Sequence, residues 1–308
     1  MVKISIVITT HKRETLLTRT LKSIFRCTVP ECPVNLFVIE NGFKGGAEEI
    51  CKKIDSVIPI QYCYLEKPGT SNARAHSLSL INNDTFVIFF DDDVKVEKNI
   101  LLAYYEAFKE FGKGYFYGGS ILPDYESEPQ INYLELFPFS ITGFRPFPKR
   151  EITKKPMFLG ANWAACASDI IASGNFNVNL GPGGSIQSTG HEADIQKRLL
   201  EQGCSGVYLP DALVWHYVPK SDVCFEWLKN RYFKNGLKAG YTFKETEREG
   251  YILGIPRWLY RKIVQDFLLV LFQSLQIKRG FAYYEKKARF YRTLGIISFF
   301  LKNRHRYP

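Results

Sequence analysis

Short apolar runs rich in Val, Ile and Phe alternate with stretches whose apolar residues recur at helical spacing. Residues 4–9, 36–39, 61–65 and 86–90 predict strands. Residues 14–25 place Leu17, Leu21, Ile24 and Phe25 on one helical face, and residues 73–80 do so more weakly. This alternation predicts an α/β fold, doubly wound around a mostly parallel sheet covered on both faces. Ligands in such folds sit outside the carboxyl ends of the strands. The segments there are residues 9–13, 40–42 and 91–93, and all three are polar.

Regular periodicity is lost over residues 115–160, where Phe137, Pro138, Phe139, Phe144, Pro146, Phe147 and Pro148 crowd together. This predicts a long excursion that shapes a pocket or touches lipid. After Pro219 the pattern turns helical, with aromatic and basic residues interleaved. The division expected is an α/β part over residues 1–219 and a basic, aromatic-rich helical extension over residues 220–308. The most apolar stretch there, residues 267–272, is bounded by Asp266 and Gln273, far short of the roughly 20 apolar residues a spanning helix needs. Two placements stay open for it: flat on a bilayer, or packed on the sheet part.

Charge sharpens the division. Residues 220–308 hold 19 Lys and Arg against 7 Asp and Glu, whereas residues 1–219 hold 22 against 24. Such a basic extension suits nucleic acid, an anionic membrane or an acidic partner, or is simply a solvated helical face. The seven cysteines form no CxxC pair and no zinc-like spacing, as expected of reduced, mostly buried thiols in the cytosol. The first apolar stretch is too short for a signal peptide and reads as a strand. No GxGxxG follows it and no GxxxxGK[ST] occurs, which argues against a dinucleotide fold and a P-loop.

Three successive carboxylates, Asp91, Asp92 and Asp93, follow the run FVIFF. Like charges about 4 Å apart repel by about 4 kcal/mol at an effective dielectric near 20. A hard divalent cation such as Mg2+ or Mn2+ relieves that repulsion and bridges carboxylates to phosphates. The competing reading is an acidic turn, with Asp93 capping a helix that begins near Val96.

Taken in order, SIVITTHKR, IENGF, GTSNARAHSLSL, FFDDDV, GANWAACASDI and GHEADIQKRLLEQG resemble the motifs of family 2 inverting glycosyltransferases with the GT-A fold, over roughly residues 3–218. The resemblance implies that Thr9, His11 and Arg13 border the nucleotide and that Glu40, where the family usually has Asp, contacts base or ribose. It implies that Arg74 lies near the donor and that Asp91 and Asp93 contact ribose, metal and diphosphate, with Asp92 beside them. An Arg fork suits phosphate, although a surface ion pair is the plainer role for Arg74. Aligning Asp194 and Arg198 with the family's later Asp and Arg puts Glu192 at the general-base position and His191 where the first acid usually stands. Asp194 competes as base, or serves the helix dipole. His216 is implied as a third metal ligand, against the default of a structural histidine. Trp163 and Trp215 either wall the acceptor or pack the core.

The implied activity is metal-dependent, inverting transfer of one hexosyl unit from a nucleoside diphosphate sugar, with a UDP-sugar the first donor to try. Saccharide or lipid-linked acceptors in surface or exopolysaccharide assembly are implied, with Mn2+ or Mg2+ as cofactor. Processive relatives carry QxxRW and spanning helices; here Gly254 precedes Arg257-Trp258 where Gln would stand, so a single addition is expected. The expected location is the cytoplasm, including the inner face of the membrane. A non-catalytic nucleotide-sugar or carbohydrate-binding scaffold is the alternative. No nucleic-acid motif accompanies the basic extension, and nucleic acid is not expected as a partner.

Overall fold

The computed structural model describes residues 2–243, 250–275 and 280–304. Lys244, Arg248, Lys278, Arg279 and Arg306, counted above in the basic extension, lie outside the described residues. Every residue of β1 (Ile4–Thr10) is buried, as a β-branched strand enclosed on both faces must be. It is followed by α1 (Glu14–Ile24), β2 (Val34–Asn41), α2 (Ala47–Lys53), β3 (Ile60–Leu65), α3 (Thr70–Ser79) and β4 (Phe86–Asp91). β2 and β4 flank β1, β3 flanks β2, and all three pairings are parallel. The predicted strands and helices of this half are therefore present, each extended or trimmed at its ends.

The chain continues through β5 (Val94–Val96), α4 (Ile100–Phe111), β6 (Tyr115–Tyr125), α5 (Phe139–Thr142), β7 (Glu151–Thr153), β8 (Asn162–Cys166), α6 (Ala167–Ala172), α7 (His191–Glu201) and β9 (Ser205–Val218). The sheet runs β3-β2-β1-β4-β8-β6-β9-β5, with β7 on β9. Two expectations are corrected. Residues 94–96 form a strand, the next helix starts at Ile100 after Asn99, and Asp93 caps nothing there. Residues 115–125, expected to belong to an irregular excursion, form an 11-residue strand: Gly118, Gly119, Pro123 and Asp124 hide its alternation. Gly119 is required by close approach, since a Cβ there would lie 1.8 Å from Ala212 O.

Two compact units emerge. The first comprises Met1–Asp124, Phe139–Gly184 and Gly190–Tyr217; the second comprises Tyr125–Pro138, Ser185–Thr189 and Val218–Pro308. In the first, Trp163 is fully buried and its ring stacks on Phe89 with centroids 5.0 Å apart, which assigns it to the core rather than to an acceptor wall. All seven cysteines are free. Three are buried and four half-buried, so fewer are enclosed than expected. Burial pushes the Cys27 thiol up to about 12, which keeps it protonated and unreactive.

The second unit is built on α8 (Phe225–Tyr241), α9 (Arg257–Ser274) and α10 (Phe281–Lys302) around Leu237, Leu259, Ile296, Phe299 and Phe300. α8 and α10 approach closely at Gly236 and Gly295, where an added Cβ would lie 2.1 Å from a carbonyl of the other helix. No helix among the described residues is long and apolar enough to cross a membrane.

Candidate active site

Strand register assembles the site. Thr9 pairs with Asp91 and Thr10 with Glu40, so the polar ends of β1, β2 and β4 form one row at the carboxyl edge. Beyond it, Val94 pairs with His216 in antiparallel fashion, and Tyr217 N donates to Asp93 O at 2.9 Å. That register carries His216 to the aspartates. Thr20 Oγ1 on α1 lies 2.8 Å from both Asp92 O and Val94 O, pinning the acidic turn from beneath.

Asp91, Asp93 and His216 each offer a ligand atom, all within 4.8 Å of one another. Asp93 Oδ1 is buried without a hydrogen bond, 3.4 Å from His216 Nε2. Two carboxylates and an imidazole around an unsatisfied buried oxygen are a donor set that fits a hard or borderline divalent cation. Asp92 faces elsewhere, accepting from Thr10 Oγ1 at 2.7 Å and Arg13 Nη1 at 3.1 Å. Arg13 also reaches Asp93 Oδ2 at 2.6 Å. Burial works against charge on Arg13, but Asp92 and Asp93 prevail and hold the guanidinium protonated.

Burial and the field of Asp93 push the Asp92 carboxyl up to about 6, against the pull of Arg13. Burial likewise raises Asp91, opposed chiefly by Arg74. Both carboxyls bind protons more tightly folded than unfolded. Without a cation, stability should therefore fall as pH rises from about 4 through about 6. A divalent cation held by Asp91 and Asp93 requires their deprotonated forms and opposes that trend. We expect the Mn2+-dependent rise in Tm to grow between mildly acidic and neutral pH and to vanish in Asp93→Asn, as read by thermal shift. An equal rise in the variant would remove Asp93 from the ligand set.

Arg74 stands at the centre, 1% exposed. Gly69, at φ +125°, starts α3 in a conformation that L side chains rarely adopt, and Asn41 Oδ1 accepts its N–H at 2.9 Å. Arg74 Nη2 donates to Asp91 Oδ1 at 2.8 Å and to Gly160 O at 2.9 Å; Nη1 lies 2.9 Å from His191 Nε2. A guanidinium only donates, so Nε2 accepts and the imidazole hydrogen sits on Nδ1, which is 3.3 Å from Glu192 Oε2. The plainer expectation for Arg74, a surface ion pair, is excluded by its burial. α7 begins after Gly190, whose φ of 74° suits glycine, and this sets His191 and Glu192 in its first turn. Gln196 fixes the facing segment, accepting from Phe158 N at 3.0 Å and donating to Phe158 O at 2.8 Å.

A Cβ on Gly160 would lie 2.5 Å from Glu192 Oε1 and 2.9 Å from Arg74 Nη1. Gly160→Ala should therefore displace both groups and lower turnover by about ten- to a hundred-fold, with little change in circular dichroism. Unchanged initial rates would show that this crowding does not matter.

The remaining sequence-predicted residues are placed more peripherally. Asp194 is held by Arg198, whose Nη2 is 2.8 Å and Nε 3.2 Å away, one turn along α7. Glu40 is 1% exposed, with Oε1 accepting from Gly45 N at 2.9 Å and Oε2 from Tyr62 Oη at 2.6 Å. His11 Nδ1 lies 2.6 Å from Asn41 O. Thr9 is buried beside Asp91 in the register. The individual roles of Thr10, Asn41 and Gly160 are not assigned by the sequence. Thr10 and Asn41 fall in segments recognisable as polar strand ends, but nothing in a Gly-Ala-Asn run marks a carbonyl for Arg74.

Residues 5–169 match the family described as Glycosyl transferase family 2. No curated protein matches the chain at a significant level. Among solved structures, the mannosyltransferase PcManGT from Pyrobaculum calidifontis, in complex with GDP-Man and Mn2+, is 14% identical with a TM-score of 0.59, covering 96% of this chain and 86% of that one. S. aureus TarS is 14% identical with a TM-score of 0.52 over 96% of this chain, which spans only 55% of that structure. GalNAc-T7 with UDP, GalNAc and Mn2+ is 14% identical with a TM-score of 0.54, covering 94% of this chain and 54% of that one. These likenesses establish the architecture.

Proposed function

The chain belongs to glycosyl transferase family 2 and has the GT-A fold, and from that premise we propose that it transfers one sugar from a nucleoside diphosphate sugar to an acceptor hydroxyl, inverting the anomeric centre. The observation that carries this reading is the line Asp91, Arg74, His191, Glu192, running from the cation-suited carboxylates to a candidate base.

In this reading Asp91, Asp93 and His216 hold Mn2+ or Mg2+, which when bound neutralises charge on the departing diphosphate. Thr9, His11, Arg13 and Asp92 border the nucleotide from the row of strand ends. Glu40, whose oxygens also accept from Gly45 N and Tyr62 Oη, stands at the base or ribose. Glu192 takes the proton of the acceptor hydroxyl while that oxygen bonds to the anomeric carbon. The bond from that carbon to the phosphate oxygen breaks, and its electron pair leaves with the nucleoside diphosphate. Asp194, neutralised by Arg198, has a structural role in α7. A single addition fits the absence of QxxRW from the sequence.

Solved structures of similar fold carry UDP, UDP-GlcNAc or GDP-Man, and we place a UDP-sugar first among donors to test. The basic second unit supports work at an anionic membrane face on a lipid-linked or polysaccharide acceptor. A panel of nucleotide sugars with and without Mn2+ should give one donor whose stabilisation depends on the cation. A donor that binds but is neither transferred nor hydrolysed would favour a non-catalytic scaffold instead.

A further inference from the structure

α9 distributes its residues the wrong way round for a helix facing water. Its packed side holds the core residue Leu259 and, beside it, polar side chains: Asp266 is 7% exposed, accepts from Thr293 Oγ1 at 2.6 Å and pairs with Lys262 Nζ at 3.1 Å. Gln273 Oε1 is also buried. On the opposite side, positions 257, 261, 264, 268, 272 and 275 recur at helical spacing and form one stripe. Arg257 and Arg261 occupy one end of it and are exposed. The rest is apolar, with Leu268 54%, Phe272 65% and Leu275 77% exposed. Apolar stripes of this extent mark interaction surfaces rather than ordinary solvated ones.

The surface extends onto α10. The Phe267 ring lies 6.2 Å from that of Phe290. Along the same face of α10 follow Leu294, Ile297 and Leu301, which with Phe233 line an apolar groove of about 540 Å³ edged by Lys302.

We propose that this face of the second unit inserts into the headgroup and acyl boundary of an anionic lipid bilayer. Val264, Leu268, Phe272 and Leu275 enter the apolar layer while Arg257, Arg261 and Lys302 reach the lipid phosphates. Charge decides the choice of occupant. Cations at the edges of an apolar stripe, in a region with 19 basic residues against 7 acidic, complement anionic headgroups and would repel a second copy of the same stripe. The inference rests on the membrane reading above and adds that burial of α9, not charge alone, holds the protein there.

Flotation of the full chain with phosphatidylglycerol–phosphatidylcholine vesicles tests it. The chain should float, and binding should weaken but persist when salt is raised. Leu268→Glu/Phe272→Glu, at exposed positions, should keep its circular dichroism and lower partitioning by about a hundred-fold. Leu275→Glu, just past the last helical residue, should cause a smaller loss and serves if the double variant misfolds. Failure of the unaltered chain to float, even at low salt, overturns both the membrane reading and this inference. Flotation of the variants equal to that of the unaltered chain overturns the inference alone and leaves charge as the anchor. A chain that is dimeric by light scattering, made monomeric by the double variant and unable to float, would assign the stripe to self-association and overturn the proposal.

Discussion

Glu192→Gln is expected to lower sugar transfer by about 10²- to 10⁴-fold while leaving cation-dependent donor binding intact. Glutamine keeps the shape of the side chain and its place in the first turn of α7, but it cannot accept the proton of the acceptor hydroxyl. Initial rates of nucleoside diphosphate release with acceptor present, set beside donor thermal shifts, separate the two effects. Asp194→Asn is the control. Its carboxylate sits in a partly exposed i,i+4 pair with Arg198, so its loss should cost less than about 1 kcal/mol and leave turnover within a few-fold. Near-normal turnover by Glu192→Gln, or a reversal of the two effects, would move the base elsewhere.

Arg74→Met should cause the largest loss of stability, about 3–5 kcal/mol. Its guanidinium serves the Asp91 carboxylate, the Gly160 carbonyl and the His191 ring at once, and methionine fills the space while satisfying none of them. Arg74 is also the main influence opposing the upward push of burial on Asp91. Without it, Asp91 should hold its proton to still higher pH, so the loss should be greater at mildly alkaline than at mildly acidic pH. Urea unfolding at both pH values measures this. An unchanged midpoint would mean that Asp91 and Gly160 are compensated by other groups. On the proposed mechanism turnover should fall as well, because the same guanidinium holds Asp91 and contacts His191, which lies beside Glu192.

Much of this site is legible in the order of residues along the chain. β1, β2 and β4 are nearly continuous apolar runs whose burial leaves a strong local signature, and β3, at the sheet edge and only partly buried, leaves a weaker one. The acidic turn after β4 is equally plain, since consecutive aspartates after an apolar run need a counter-charge. β6 escapes such reading because its glycines, proline and aspartate break the alternation, while its place in the sheet depends on distant partners. Trp163 is ambiguous in sequence because an aromatic that packs on Phe89 and one that lines a pocket look alike there.

The sequence by itself determined the parallel half of the sheet, the row of polar strand ends and the concentration of basic charge in the last third of the chain, because each is local. Only the tertiary structure decided which of those groups meet. His216 reaches Asp93 through the β5–β9 register, and Arg74 reaches His191 across 117 residues of chain, through hydrogen bonds that no spacing encodes. The direction of α9 was likewise open. Its run of apolar residues from Phe267 to Phe272 is compatible with either face inward, and in the fold Leu259 and Asp266 are buried, Asp266 accepting from Thr293 on α10, while Leu268, Leu271 and Phe272 are exposed.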